Sequence, residues 1–546
     1  MNVAHPRTAE VLNQSPPLEG YDAYSADPWL VAAAGRAGAT GLEAAAVELG
    51  RYVGSAEARH HAELANRYTP ELRTHDAVGR RIDLVEYHPS YHVLMRRAYG
   101  AGLHSLAWTR AEGGFGARAV LFYLWNQLEQ GTSCPVTMTF ASLPVFEHAP
   151  ALARDWRPKV LANAYDPRPL PRAQKAGVSI GMAMTEKQGG SDLRAVQTMA
   201  TPEGDAYRLN GHKWFCSAPM SDGFFTLARL AEGVTCFFVP RSLPGGERNP
   251  FLLQRLKDKV GNRSNASAEV EFADTSAWLV GEPGRGIATI LNMAHHTRFD
   301  ITVAVAAMMR SALNQALHHA RHRSAFGRRL AEHALMANLL ADLALEAEAA
   351  TLLAFRLAAA FDASRDDAHE RELQRALTPI AKYWLCKRLT AVATEAMECF
   401  GGNGYVEESP LARLYREAPL NGIWEGSANV ICLDALRAFA RSPEALAVLR
   451  EEIDAAPDAR MASRVRWAMA TLADPPRAQA QARAIVEALA LGVQASLMRR
   501  YADAAAADAF CESRGDGEGA ARTFGALRLE GAALGPLVER ARLSGR

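Results

Sequence analysis

From about residue 28 to 165 the apolar residues recur at helical spacing, as in VLFYLWNQLEQ (120–130), so this stretch reads as mostly helical. The 27 residues before it are polar and turn-rich, with Pro16-Pro17 and Gly20. Near 177 the period changes. GVSIGMAMTE (177–186) is strand-like, and a Gly-Gly turn follows at 189–190. Short β runs then alternate with turn signals at Pro202–Asp205, Asn210-Gly211 and Glu232-Gly233, and AEVEFADTSAWLV (268–280) closes the series. Helical spacing returns in four long segments, 287–322, 334–362, 371–400 and 428–441, which predict an antiparallel bundle. The tail is Ala- and Arg-rich, with further helical segments and one Gly-rich break at 513–520. The pattern predicts an α+β protein. Residues 1–176 form an N-terminal helical domain with an irregular arm, 177–285 a middle β-barrel domain, 286–441 a four-helix bundle, and 442–546 a helical appendix.

Composition narrows the function classes. The chain has 546 residues, too many for one hydrophobic core, and a net charge of +1, so no overall field draws it to nucleic acid or membrane. Its seven cysteines are scattered, with no CxxC pair, which predicts buried or free thiols in a reducing compartment. No basic and apolar leader opens the chain and no run of about 18 apolar residues interrupts it, so the expected location is the cytoplasm.

Several motifs fail on context. GVSIG (177–181) fits a nucleophile elbow in letters only, because Ser179 begins a strand run instead of ending one. GGFG (113–116) and GGNG (401–404) lack a surrounding βαβ unit. HExxH and paired CxxC are absent, so no metal is expected. The adjacent pairs His60-His61, His295-His296 and His318-His319 do not share a helix face and read as surface or core histidines.

Four segments carry chemistry: MAMTEKQGGSD (182–192), NGHKWFCS (210–217), RHRSAFG (321–327) and MECFGGNGYVEESPLARLYREAPLNGIWEGSANVI (397–431). Together they resemble the acyl-CoA dehydrogenase family. That resemblance implies FAD. Met182, Met184, Thr185 and Ser191 would line the flavin, where hydroxyls and close backbone suit the charge of its reduced form. Phe215 and Ser217 would cover its ring. Arg323, a rigid fork suited to a pyrophosphate, would act with Phe326 on the FAD of a neighbouring subunit. Gly401, Gly402, Ser427 and Asn429 would complete the site, although Ser427 also has a helix-capping role open to it. Glu398 departs from the family's usual glutamine, and a carboxylate there would repel phosphates unless turned away.

The resemblance places Glu425 as the base that removes the α-proton of an acyl thioester, with Trp424 as an apolar wall and Arg437 narrowing the pocket. Family members that carry the base on an earlier helix have it before an arginine; here Thr297 precedes Arg298 and cannot serve. His295 and His296 stand where the dehydrogenases often hold CoA with an acidic residue.

A closer likeness, through RLKDKVGNRSNASAEVEF (255–272), TRFD (297–300), LYRE (414–417) and IWEGSAN (423–429), is to the AidB branch of the family. It implies a homotetramer that binds double-stranded DNA through its C-terminal region and protects against alkylation, with weak or no dehydrogenase activity. Charge does not add to this, since residues 441–546 hold 15 arginines against 14 acidic residues. The competing readings are a true acyl-CoA dehydrogenase that passes electrons to an acceptor flavoprotein, a nitroalkane oxidase, and a helical scaffold that has lost its flavin.

Overall fold

The computed structural model describes residues 11–515 and 523–545. The Gly-rich break at 513–520 lies largely outside them, as do the first ten residues of the N-terminal arm. The N-terminal region is helical, with α1 (Pro28–Arg36), α2 (Glu43–Val53), α3 (Ala56–Arg67), α4 (Pro89–Gly100), α5 (Leu106–Thr109), α6 (Gly114–Leu128), α7 (Ser133–Ala141), α8 (Leu143–Phe146) and α9 (Pro150–Val160). It starts where the sequence supplies a start signal. Asp27 accepts hydrogen bonds from the Trp29 and Leu30 N–H groups, and Pro28 needs no donor at the first helical position.

One element departs from the helical expectation. A hairpin of β1 (Glu71–His75) and β2 (Arg81–Glu86) interrupts the helices. Asp76 makes its turn by accepting from the Val78 and Arg80 N–H groups. Asp83, in the left-handed region at φ 43°, docks the hairpin on the middle domain by accepting the Leu253 N–H and pairing with Arg248.

The middle region is one sheet of β3 (Ile180–Ala183), β4 (Met199–Glu203), β5 (Ala206–Ser217), β6 (Gly223–Leu230), β7 (Gly233–Pro240), β8 (Phe251–Leu256) and β9 (Ser267–Val280). The order is β3-β6-β4-β5-β9-β7, with β8 on β9, and a β6–β7 pairing closes the ring. Phe224, Phe237 and Phe251 fill its interior, fully buried.

The bundle consists of α10 (Gly286–His322), α11 (Ala334–Ala363), α12 (Ala368–Glu398) and, after the short α13 (Pro410–Glu417), α14 (Ala428–Arg441). A two-stranded hairpin, β10 (Ser324–Ala325) and β11 (Arg328–Arg329), joins α10 to α11. The tail contains α15 (Pro443–Asp454), α16 (Ala459–Leu472), α17 (Pro475–Ala480), α18 (Ala482–Tyr501), α19 (Ala504–Arg514) and α20 (Gly531–Glu539). Helix α18 is buried at every position from Ala488 to Met498, so it lies inside the packed helices. It packs against α11, α12, α14, α15, α16 and α19, and the buried Gln494 carboxamide accepts the Trp384 indole N–H at 2.8 Å. The tail is therefore built into the bundle.

Buried ion pairs join the layers. Arg118 of α6 and Asp300 of α10 are fully buried and bidentate, with Nη2 2.7 Å from Oδ2, and Thr137 of α7 donates to the same carboxylate. The Glu129 carboxylate accepts from Asn66, Thr132 and Ser264, tying the N-terminal helices to the loop before β9.

Candidate active site

Residues from three regions converge at the C-terminal end of β3. Met182 is buried in the strand, while Met184 and Thr185 are partly buried beyond it. Trp214 N–H donates to the Thr185 carbonyl at 2.8 Å, so the end of β5 lies alongside. The turn that follows is held from inside. The Glu186 carboxylate is fully buried, 2.7 Å from the Lys213 ammonium, and accepts from the Thr198 hydroxyl and the Gln197 N–H. Burial pushes this carboxyl up, but Lys213 and the hydrogen bonds outweigh it and leave it at about 2. At Gly190 a Cβ would fall 2.9 Å from the Thr185 hydroxyl, so glycine leaves that hydroxyl in place. Ser191 is exposed on the same turn.

At the end of β5, Phe215 is a half-exposed aromatic, with the Lys257 ammonium 4.9 Å from its ring centre. Ser217 Oγ lies 3.2 Å from Ser267 Oγ. The buried Cys134 thiol of α7 lies against Ser217, Asn265 and Lys259 and feels the charge of Glu425; burial first pushes it up, to about 11.

Glu425 occupies the loop between the 3-10 turn Ala418–Gly422 and α14. Its backbone is left-handed, φ 57°, a conformation that costs a non-glycine residue about 1–2 kcal/mol and needs outside support. Two cations give that support. The buried Lys382 ammonium of α12 donates to the Trp424 carbonyl at 3.0 Å and the Gly426 carbonyl at 2.7 Å. Arg298 of α10 donates to the Glu425 carbonyl at 2.9 Å and is anchored by Asp434. Three consecutive carbonyls are thereby fixed. At Gly426, φ is 105° and a Cβ would meet Ile431 at 2.9 Å, so only glycine fits.

The loop presents the Glu425 side chain inward. Burial raises its carboxyl above the usual range, against the opposing Thr297 hydroxyl, Arg298 and Lys382. Its Oε2 is shielded from solvent and has no protein partner, and the same holds for Trp424 Nε1 and Asn265 Oδ1. A buried polar atom left unpaired costs about 1–3 kcal/mol. An unpaired Glu425 Oε2 on this loop fits a bound group that supplies a partner.

The remaining expected residues fall elsewhere. Ser427 sits at the N-cap of α14 but its side chain makes no capping bond, contrary to the capping role open to it; the extended backbone there (ψ 163°) leaves the hydroxyl free for another partner. Asn429 is exposed and its carbonyl oxygen accepts from Arg483 of α18 at 2.8 Å. Arg437 is exposed and pairs with Asp434, which also holds Arg298. Arg323 ends α10, donating to the Asn13 carbonyl, and Phe326 projects from the β10–β11 hairpin, 96% exposed. Gly401 and Gly402 are exposed near this end, where Phe400 stacks on His319 at 4.0 Å. Glu398 is exposed as well. Arg323 lies 25 residues beyond Arg298 on one helix, about 37 Å, so a single chain does not bring this second cluster to Glu425.

Three profiles cover most of the chain. Residues 13–167 match the adaptive response protein AidB N-terminal domain, 181–275 the acyl-CoA dehydrogenase middle domain, and 284–439 the acyl-CoA dehydrogenase C-terminal domain. The putative acyl-CoA dehydrogenase AidB of Escherichia coli (strain K12) is 44% identical over 95% of this chain and 96% of its own. The chain belongs to the AidB branch of the acyl-CoA dehydrogenase family. A Caenorhabditis elegans acyl-CoA dehydrogenase, ACDH-11, solved with C11-CoA, superposes with a TM-score of 0.84 at 24% identity, covering 97% of this chain and 95% of that one. A Bacillus anthracis acyl-CoA dehydrogenase complexed with FAD gives 0.63 at 17% identity, covering 84% and 86%. These two likenesses concern the fold.

Sequence reasoning missed Lys382, Cys134, Lys259 and Asn265. Lys382 gave a usable signal, as one of only eight lysines and placed on a helix otherwise buried around it. Thr297, rejected as a base, stands beside Glu425 instead. Among the described residues no cluster of three His, Cys, Asp or Glu side chains suits a metal, and no helix is long and apolar enough to cross a membrane.

Proposed function

We propose that this protein is an FAD-dependent oxidoreductase of the acyl-CoA dehydrogenase type, with Glu425 as the base that takes the α-proton of an acyl thioester. The observation that carries the reading is the Glu425 carboxyl, inward-facing and partnerless at Oε2 on a strained loop held by Lys382 and Arg298. A base works best with a proton affinity near the operating pH, and burial moves Glu425 in that direction. Thr297 stands beside the carboxyl and favours its ionised form, and Trp424 would wall it from water. Met182, Met184, Thr185, Ser191, Phe215 and Ser217 would hold the flavin ring, with Ser427 nearby. Bound there, FAD supplies an acceptor for the hydride leaving the β-carbon. Arg323, Phe326, Gly401 and Gly402 would serve the FAD of a neighbouring copy, which requires an oligomer, taken as a homotetramer. Reoxidation would fall to an acceptor flavoprotein. Asn429 and Arg437 contribute less directly, since Arg483 and Asp434 occupy them.

The test is an anaerobic titration of the purified protein with acyl-CoAs, following flavin absorbance, beside Glu425→Gln. Bleaching that the variant loses supports the reading. A yellow protein that no acyl-CoA bleaches defeats it, and a colourless one defeats FAD binding.

Duplex-DNA binding with protection against alkylation is the second reading. The relation to AidB extends through the tail, which favours it. Charge opposes it. Arg460 and Arg499 are held by Asp458 and Asp508, Arg500 by Glu452, Arg514 by Asp342 and Glu346, and Arg540 by Glu348. Those guanidinium groups would have to leave carboxylates to meet phosphates. Since α18 is buried in the bundle, the whole protein is the right sample.

A further inference from the structure

A cavity of about 430 Å³ lies beyond the flavin-side residues, between the β1–β2 hairpin, α4, the loop after α9 and the chain entering β3. Its volume is in the range that holds a small organic ligand. It adjoins the proposed site without containing it. Pro135 and Ala218 line the cavity, and each directly follows a residue of the other site, Cys134 and Ser217.

Its chemistry is distinctive. Tyr87 and Tyr91 stack at 4.2 Å, His92 meets both edge-on, and Tyr165 stacks on His92 and hydrogen-bonds its Nδ1 at 3.0 Å. This aromatic wall offers ring faces and edges to a flat ligand. Ser221 also lines the cavity; it is 2% exposed and its hydroxyl has no hydrogen-bond partner. An orphan hydroxyl in a built aromatic cavity is a ready contact for one polar group of a ligand.

The walls carry no uncompensated charge at neutral pH. Asp166 is taken by Arg168 at 2.7 Å, and Glu86 by Arg73 at 2.8 Å. Burial pushes the Tyr87, Tyr91 and Tyr165 phenols up and the His92 imidazole down, so all four are neutral. A charged ligand would lose its hydration and gain no partner.

We propose that this cavity is a second ligand site, specific for an uncharged bicyclic or monocyclic aromatic compound bearing one hydroxyl, whose ring packs on the Tyr87–Tyr91–His92–Tyr165 wall and whose hydroxyl pairs with Ser221. The site is independent of the Glu425 chemistry.

The test is calorimetric titration of the full-length protein, as purified with any bound flavin, using 2-naphthol, naphthalene and 2-naphthoate. One 2-naphthol should bind per chain. Naphthalene should bind roughly three- to tenfold more weakly, and Ser221→Ala should cost 2-naphthol about the same, the value of one hydrogen bond. 2-Naphthoate should bind more weakly than either. Leu84→Trp, which fills the cavity from β2, should abolish binding while circular dichroism and flavin absorbance stay those of the wild type. Absence of saturable 2-naphthol binding overturns the proposal. So does 2-naphthol binding that survives Leu84→Trp, or 2-naphthoate binding as tightly as 2-naphthol.

Discussion

Lys382→Met removes the ammonium that fixes the carbonyls on both sides of Glu425. Each of its two bonds, at 3.0 and 2.7 Å, joins a charged donor to a neutral acceptor, and such bonds contribute about 1.5–3 kcal/mol apiece. Against them stands the burial of the ammonium itself, which costs several kcal/mol. Methionine has nearly the same length and is at ease in the bundle interior. The opposing changes leave global stability altered by no more than about 2 kcal/mol, or a few degrees in a chain of this size. The loop responds differently. Its left-handed residue sits about 1–2 kcal/mol above the ordinary conformation, and with Lys382 gone only Arg298 opposes relaxation. A shift of 1.4 kcal/mol is a factor of ten in population, so the competent loop should become a minority of roughly a tenth. The assay is stopped-flow flavin bleaching by the best acyl-CoA, with FAD content and thermal midpoint measured on the same sample. The expected result is a rate about five- to thirtyfold lower, with FAD content unchanged and the midpoint within about 5 °C. Because Lys382 is a positioning residue, KM should move less than kcat. A rate within twofold of the wild type would refute the view that Lys382 holds the base in place. A midpoint lowered by more than about 10 °C would show that Lys382 supports the bundle instead.

Thr297→Val removes a hydroxyl that favours the ionised Glu425 carboxyl, so with Glu425 in the proposed role of base the bleaching rate should rise through a higher pH than in the wild type; an unshifted pH profile contradicts this contact. The Glu186 carboxyl is depressed to about 2 in the folded protein, so its stabilisation is present above the ordinary carboxylate value and is lost as pH falls toward 2. Glu186→Gln should therefore flatten the acid limb of stability measured by urea unfolding between pH 5 and pH 2, and an unchanged limb argues against it. Asp300→Leu strands the buried Arg118 and should cost about 3–5 kcal/mol, much of which Arg118→Met/Asp300→Leu recovers; equal urea midpoints for single and double variants would oppose that account. If the tail arginines stay on their carboxylates, full-length protein should show only weak duplex-DNA binding at physiological salt; a steep loss of tight binding between 50 and 200 mM salt would restore the DNA reading.

The sequence by itself determined the periodic parts of this molecule. Helical spacing at 287–322 and 334–362 became Gly286–His322 and Ala334–Ala363, because an amphipathic or wholly apolar run of that length has one way to satisfy its backbone and bury its side chains. The β1–β2 hairpin escaped notice, since two short half-polar strands gain their stability only by docking through Asp83 on the middle sheet. Glu425 was legible from its motif, but its state was not. Burial, the left-handed backbone and the cations from α10 and α12 come from residues 127 and 43 positions away, and no local pattern encodes them. Ser427 shows the converse, a good capping residue whose hydroxyl the tertiary backbone leaves uncommitted. The aromatic cavity is also invisible in the sequence, because Tyr87, Tyr165 and Ser221 belong to three separate segments. Local periodicity sets which elements form; packing sets which side chains meet, and through desolvation it sets their charge states.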